Sequence, residues 1–126
     1  LALGDKRYPK TARALILVPT RELAVQIEES IRMLAKGSHL STCLILGGVS
    51  RSAQIKRMKT GVDVLIATPG RLMDLVCEKC IDLSQSRFLV LDETDRILDI
   101  GFIRDVQRIA KLLSNNAFFR RQCRKK

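Results

Sequence analysis

The sequence predicts an α/β fold in which a parallel sheet carries helices on both faces. Short apolar runs at 14–18, 42–46, 62–67 and 88–91 alternate with stretches whose apolar residues recur at helical spacing. No hairpin signal joins one strand run to the next, so consecutive strands need crossover connections and run parallel. The strand runs are apolar throughout rather than alternating, as expected of strands covered on both sides. With 126 residues the chain is long enough for one domain and too short for two.

The elements follow in order. Residues 1–12 are polar and irregular. Gly4-Asp5-Lys6-Arg7-Tyr8-Pro9-Lys10-Thr11 imitates a phosphate-binding loop, but Pro9 stands where its second Gly belongs and a strand follows instead of a helix. Ala14–Val18 is the first strand. Thr20 then offers an N-cap, and Leu23, Ala24, Ile27, Ile31 and Leu34 mark the apolar stripe of a helix that Gly37 stops. Thr42–Leu46 is the second strand and ends in Gly47-Gly48. Ser50 caps a short helix ending near Gly61. Val62–Ala67 is the third strand, and it enters Thr68-Pro69-Gly70-Arg71, with Thr suited to the cap and Pro to the first helical position. That helix continues to about Glu78. Phe88–Leu91 is the fourth strand. Beyond it Ile97-Leu98 and then Phe102, Ile103, Val106, Ile109 and Leu113 indicate one or two helices, broken near Gly101.

The net charge is +10, five of it in Arg120, Arg121, Arg124, Lys125 and Lys126, which leaves +5 over residues 1–119. A basic balance favours polyanionic partners such as nucleic acid, while the tail by itself reads as a solvated, disordered end. No run of about 18 apolar residues is available to span a membrane. Of the four cysteines, Cys77 and Cys80 form a C-x-x-C, but Leu72, Leu75, Val76 and Cys80 share one helical face and His39 is the only histidine. Core packing is the expectation for that face, and a reducing cytosol is the default compartment.

Four clusters carry the chemistry. Pro19-Thr20-Arg21-Glu22, Gly47-Gly48, Thr68-Pro69-Gly70-Arg71 and Asp92-Glu93-Thr94-Asp95 each follow a strand directly. In a parallel sheet all four share the carboxyl edge, where open α/β folds bind ligands. Helix starts there present unpaired N–H groups and a positive dipole end, which suit phosphates, with Arg21, Arg51 and Arg71 nearby. Adjacent Asp and Glu at a strand end suit a phosphate-bound Mg²⁺ and a water that must be activated. Taken singly, each cluster is equally accounted for by helix capping and turn chemistry.

In order and spacing, PTRELA (19–24), GG (47–48), TPGRL (68–72) and LDETDRILDIGF (91–102) resemble the first RecA-like domain of DEAD-box ATP-dependent RNA helicases, a P-loop NTPase fold. The resemblance covers about residues 12–113, and the run GFIRDVQRI is most similar to bacterial members. Thr94 replaces the Ala of the family's D-E-A-D, which crowds the motif but leaves its chemical acids intact. The resemblance implies ATP and Mg²⁺ as cofactors, with Asp92 holding Mg²⁺ through water and Glu93 orienting and deprotonating the attacking water. It implies that Asp95 couples this site to the motif after the next strand. It also implies that Pro19, Thr20, Arg21, Gly47, Gly48, Thr68, Pro69, Gly70 and Arg71 touch the RNA sugar-phosphate backbone. One Tyr, four Phe and no Trp leave little to stack on bases, so little sequence preference is expected.

In the family, a G-K-T phosphate loop and an adenine-reading segment lie before these motifs. A strand ending in Ser-Ala-Thr and a second RecA-like domain with an arginine finger lie after them. None of these is legible in the 126 residues. The expectation is a cytoplasmic helicase core cut at both ends and inactive in ATP hydrolysis alone, with a non-enzymatic, RNA-backbone-binding product as the alternative. Residues 114–126 read as an altered basic tail, which leaves Phe88–Leu91 as an unpaired apolar sheet edge. The chain is therefore expected to be marginally stable and prone to associate, more so at high salt, unless a segment such as residues 114–123 fills the vacant strand position.

Overall fold

The structure is a computed structural model and describes residues 8–94, 100–113 and 118–124, with 92–94, 100–102 and 118–124 as backbone alone. Its elements are β1 (Ala12–Leu17), α1 (Arg21–Leu34), β2 (Thr42–Ile45), α2 (Arg51–Met58), β3 (Val62–Ala67), α3 (Pro69–Cys77), β4 (Phe88–Thr94), α4 (Ile100–Leu112) and β5 (Phe118–Arg124). The strands form one sheet in the order β2-β3-β1-β4-β5, and every recorded pairing is parallel. The predicted α/β class, with a parallel sheet covered on both faces, is therefore observed.

Strand parity sorts the core into two layers. Leu15 and Leu17 of β1, Cys43 and Ile45 of β2, Leu65 and Ala67 of β3 and Leu89 and Leu91 of β4 face a layer completed by Met58 of α2, Leu72 and Leu75 of α3 and Val106 and Ile109 of α4. Ala14, Val18, Val64, Ile66 and Leu46 face the other layer, which Ala24 and Ile27 of α1 close. Burying each large aliphatic side chain contributes roughly 1.5–3 kcal/mol, and the two-sided burial explains why the strand runs lack polar alternation.

Three sequence-based boundaries move. The break expected near Gly101 does not fall at that glycine: α4 runs from Ile100 to Leu112 through it, and residues 95–99, with Ile97 and Leu98, lie outside the described residues. A Gly in a helix costs about 1 kcal/mol relative to Ala, which the buried stripe of Val106 and Ile109 offsets. The fourth strand is longer than Phe88–Leu91. Asp92, Glu93 and Thr94 continue it, in register with Gln122, Cys123 and Arg124.

The last difference is the largest. Residues 118–124, whose part from Arg120 on is expected to be a solvated end, form β5 and pair in parallel with β4 from Phe88↔Phe118 to Thr94↔Arg124. The β4 edge is thus occupied, which removes the stated ground for expecting marginal stability and association. The new edge strand, Phe118-Phe119-Arg120-Arg121-Gln122-Cys123-Arg124, carries three arginines, and charge is a standard deterrent to edge-to-edge pairing.

Cys77 is exposed, whereas Cys80 and Val76 pack against the first core layer with Leu72 and Leu75, as their shared face implied. Cys43 is buried in β2. Burial raises its thiol pKa from 9.0 to about 11, partly opposed by Arg57 and reinforced by Glu28. Folding therefore favours the neutral thiol. Its contribution is complete below pH 9 and is lost as pH rises from about 9 towards 11. Alkylation of the native chain at pH 8 is accordingly expected to label Cys77 well before Cys43, as peptide mass mapping would show. Equal labelling rates would contradict the buried, neutral assignment.

Candidate nucleic-acid and nucleotide-hydrolysis site

The register places the four clusters together. Leu17 aligns with Ala67 on one side and Leu91 on the other, and Ile45 aligns with Ala67. The residues that follow Leu17, Ile45, Ala67 and Leu91 therefore emerge at one edge of the sheet. Val18 N–H still donates to Ala67 O at 3.0 Å, and Thr68 N–H to Ile45 O at 3.1 Å, so the first residues past the strands remain tied.

Thr20 caps α1 as expected, its hydroxyl accepting from Leu23 N–H at 3.3 Å. Arg21 is exposed at the first helical position and lies over Gly48. A Cβ added to Gly48 would come within 3.2 Å of an Arg21 guanidinium nitrogen, and Gly48 has φ +79, a left-handed conformation costly for other residues. Arg21 and Gly48, 27 residues apart, thus meet, and the positive φ at 48 is what favours glycine there. Gly47 is exposed with open space around it.

Thr68 occupies the N-cap position of α3, but its hydroxyl makes no capping bond. Pro69 follows at the helix start and is buried. Its ring fixes the turn into the helix. Gly70 is exposed, and a Cβ there would meet nothing within 4 Å.

The arginines divide. Arg21 remains at the surface. Arg51 is engaged by carboxylates of α3, bonding to Glu78 and, at 3.1 Å, to Asp74. Its hydrogen bond to Glu78 holds the guanidinium above its ordinary pKa, and these ties make it a link between α2 and α3. Arg71 is half-buried and turned towards the glycine loop: one Nη1 donates to Val49 O at 3.0 Å and to Gln54 Oε1 at 3.1 Å. Gln54 was not singled out from the sequence. Its only local signal was a polar residue on the inner face of α2, two turns' reach from Gly47-Gly48 in sequence.

The backbone of Asp92, Glu93 and Thr94 is extended and paired with β5, so these residues do not start the following helix. Asp92 and Glu93 lie one and two residues past the Leu17↔Leu91 pair, level with Val18 and Pro19 at the same edge. Asp95 lies outside the described residues. Carboxylate oxygens at such an edge are hard donors of the kind Mg²⁺ takes, usually through water. Among the described residues, no group of three or more His, Cys, Asp or Glu could by itself hold a metal ion.

Comparison with known proteins agrees with this arrangement. The DEAD/DEAH box helicase family model matches residues 2–124. The ATP-dependent RNA helicase dbp3 of Sclerotinia sclerotiorum is 49% identical over 108 residues, 86% of this chain and 18% of that protein. The ATP-dependent RNA helicase RhlB of Haemophilus influenzae is 48% identical, over 83% of this chain and 25% of that protein. The similar proteins thus include both fungal and bacterial ones, and the chain spans about a fifth to a quarter of their length. The crystal structure of a DEAD box protein from Methanococcus jannaschii superposes with a TM-score of 0.81 at 33% identity, over 88% of this chain and 30% of that one. The motifs, the parallel RecA-like sheet and these matches lead to one conclusion: the chain belongs to the DEAD/DEAH box helicase family.

Proposed function

We propose that this segment forms the RNA-holding and water-activating part of the first RecA-like domain of an ATP-dependent RNA helicase. In the protein that contains it, it works with ATP, Mg²⁺ and a second RecA-like domain to separate RNA strands. The observation that supports this reading is the register, which gathers two helix starts, the Gly47-Gly48 loop and the Asp92-Glu93 strand end at one edge. The names of the similar helicases support the substrate class.

In this reading Thr20, Arg21, Gly47, Gly48, Thr68, Gly70 and Arg71 line the path of the RNA backbone. The helix starts offer N–H groups, the exposed glycines allow close approach, and Pro19 and Pro69 shape the turns. Backbone contacts without base readout give binding that is nearly indifferent to sequence. Asp92 would hold Mg²⁺ through water, and the ion would supply charge stabilisation to the phosphates. Glu93 takes a proton from the attacking water, and Asp95 links this corner to the neighbouring motif. No G-K-T phosphate loop is legible in the 126 residues, and in this reading hydrolysis is not expected from these residues alone. Free thiols at Cys43, Cys77 and Cys80 favour a cytoplasmic setting.

Fluorescence anisotropy with two single-stranded RNAs of unrelated sequence tests the assignment. Arg21→Ala with Arg71→Ala is expected to weaken both about equally, by roughly tenfold, and to reduce the salt slope by about 1.4 for two lost phosphate contacts. If the pair has no effect, and replacing Arg120, Arg121, Arg124, Lys125 and Lys126 by Gln removes binding, the tail is the binder and the edge is not.

A further inference from the structure

Between the glycine loop and the start of α3 stands a buried carboxamide. Gln54, on α2, is 4% exposed. Its Nε2 donates to Leu46 O at 2.9 Å, and its Oε1 accepts from Arg71 Nη1 at 3.1 Å. The same Nη1 donates to Val49 O at 3.0 Å. Leu46 and Val49 bracket Gly47-Gly48, so both ends of the loop are tied, one to Gln54 and the other to Arg71, and the two anchors are bonded to each other.

The orientation of the amide is dictated by its partners. Reversing it would set an NH₂ against the guanidinium and a carbonyl oxygen against Leu46 O, two repulsive contacts in a buried site. The orientation of Arg71 follows. Both hydrogens of Nη1 are spent on Val49 O and Gln54 Oε1. A guanidinium is planar, so its three remaining N–H groups, on Nε and Nη2, point away from that side in a fixed fork. Among the described residues these groups have no recorded partner. On the other side of the loop, Arg21 lies against Gly48.

We propose that Gln54 is a positioning residue for RNA: through Arg71 and Leu46 it locks the Gly47-Gly48 loop to the start of α3 and presets the Arg71 fork for a backbone phosphate. The proposal rests on the reading of this edge as the RNA path. An arginine held this way loses little further rotamer freedom when a phosphate arrives, and two backbone-contacting clusters behave as one rigid surface. No charge is added by Gln54. Its effect is on geometry, and it reaches the ligand only through the arginine.

The test is RNA binding by the 126-residue chain across a salt series, with urea unfolding of each variant alongside. Gln54→Met keeps the volume and removes both hydrogen bonds. It is expected to weaken single-stranded RNA binding about fivefold and to lower the salt slope by about 0.7, the share of one phosphate contact. Added to Arg71→Ala, it is expected to cost less than about twofold more, because the two residues act as a unit. Arg71→Lys leaves the Gln54–Leu46 bond in place and the charge intact but lacks the fork, and it is expected to weaken binding about as much as Gln54→Met. This variant reports even if Gln54→Met fails to fold. A purely structural Gln54 would lower the unfolding midpoint, leave the salt slope of the folded chain unchanged, and give additive losses with Arg71→Ala. That outcome, or wild-type binding by Arg71→Lys, overturns the proposal while leaving the edge as the RNA path if Arg71→Ala still weakens binding. If Arg21→Ala and Arg71→Ala are both without effect, the edge assignment and the proposal fall together.

Discussion

Replacing Glu93 by Gln in a helicase core that includes these residues is expected to lower RNA-stimulated ATP turnover by a factor of roughly 10²–10⁴, the usual worth of a positioned general base. Gln matches Glu in size and keeps one oxygen, so backbone pairing through Glu93↔Cys123 should survive the change. What it loses is the ability to accept a proton from the attacking water. Phosphoryl transfer depends on positioning and electrostatics with little covalent help from the protein, so if Glu93 has the proposed role of orienting and deprotonating the nucleophile, its loss falls on kcat. In the proposed reading RNA binding rests on the helix starts and the glycine loop, and it should change by less than about twofold, within the spread expected of surface changes far from a contact. Steady-state ATPase assays with an anisotropy control separate the two. A variant whose turnover stays within about threefold of the parent would remove Glu93 from the chemistry. A parallel loss of RNA binding would show instead that the strand end had been disturbed.

Ending the chain at Leu113 is the second large effect, and it acts on stability. The deletion removes β5 and every pairing from Phe88↔Phe118 to Thr94↔Arg124. Each lost ladder hydrogen bond is worth on the order of 0.5–1.5 kcal/mol net. Against a domain stability of about 5–15 kcal/mol the loss takes most of the margin. The β4 edge that remains is long and apolar up to Leu91, a template for pairing with a second chain. The shortened chain is therefore expected to unfold at a much lower urea concentration and to scatter light as an associated species, more strongly at high salt, where repulsion among its remaining positive charges is screened. The full 126-residue chain should be monodisperse under the same conditions. An unchanged midpoint with a monomeric shortened chain would mean that β5 contributes nothing to the sheet. The same consideration is why the basic tail is neutralised, not deleted, in the RNA-binding test.

The stabilities of β4 and β5 are coupled in a way the residues of neither strand disclose alone. Phe118-Phe119 supply only two adjacent apolar residues before two arginines and a glutamine intervene. By composition this is a solvated end. Along the backbone it is an ordinary parallel strand, because parallel pairing needs N–H and C=O groups in register and a neighbour with a free edge, and β4 supplies that edge. Strand propensity is context-dependent for this reason.

The sequence by itself determined the features that rest on local repetition. Apolar runs marked β1 to β4, and 3.6-residue stripes such as Leu23, Ala24, Ile27 marked the helices. Thr20 and Pro69 marked two helix starts, and the order of the four clusters marked one functional edge. Only the tertiary structure decided the partners. It showed that Arg51 is taken by Asp74 and Glu78, that Arg71 is turned to Val49 and Gln54, that Pro69 is buried, and that Arg21 lies over Gly48. It also carried Asp92 and Glu93 along a strand by giving β4 a second neighbour, β5. Periodicity and capping are written within a few residues and can be read there. A hydrogen-bond partner or an adjacent strand lies tens of residues away, and which of several chemically equivalent donors meets which acceptor is fixed only when the sheet's register brings them to the same place.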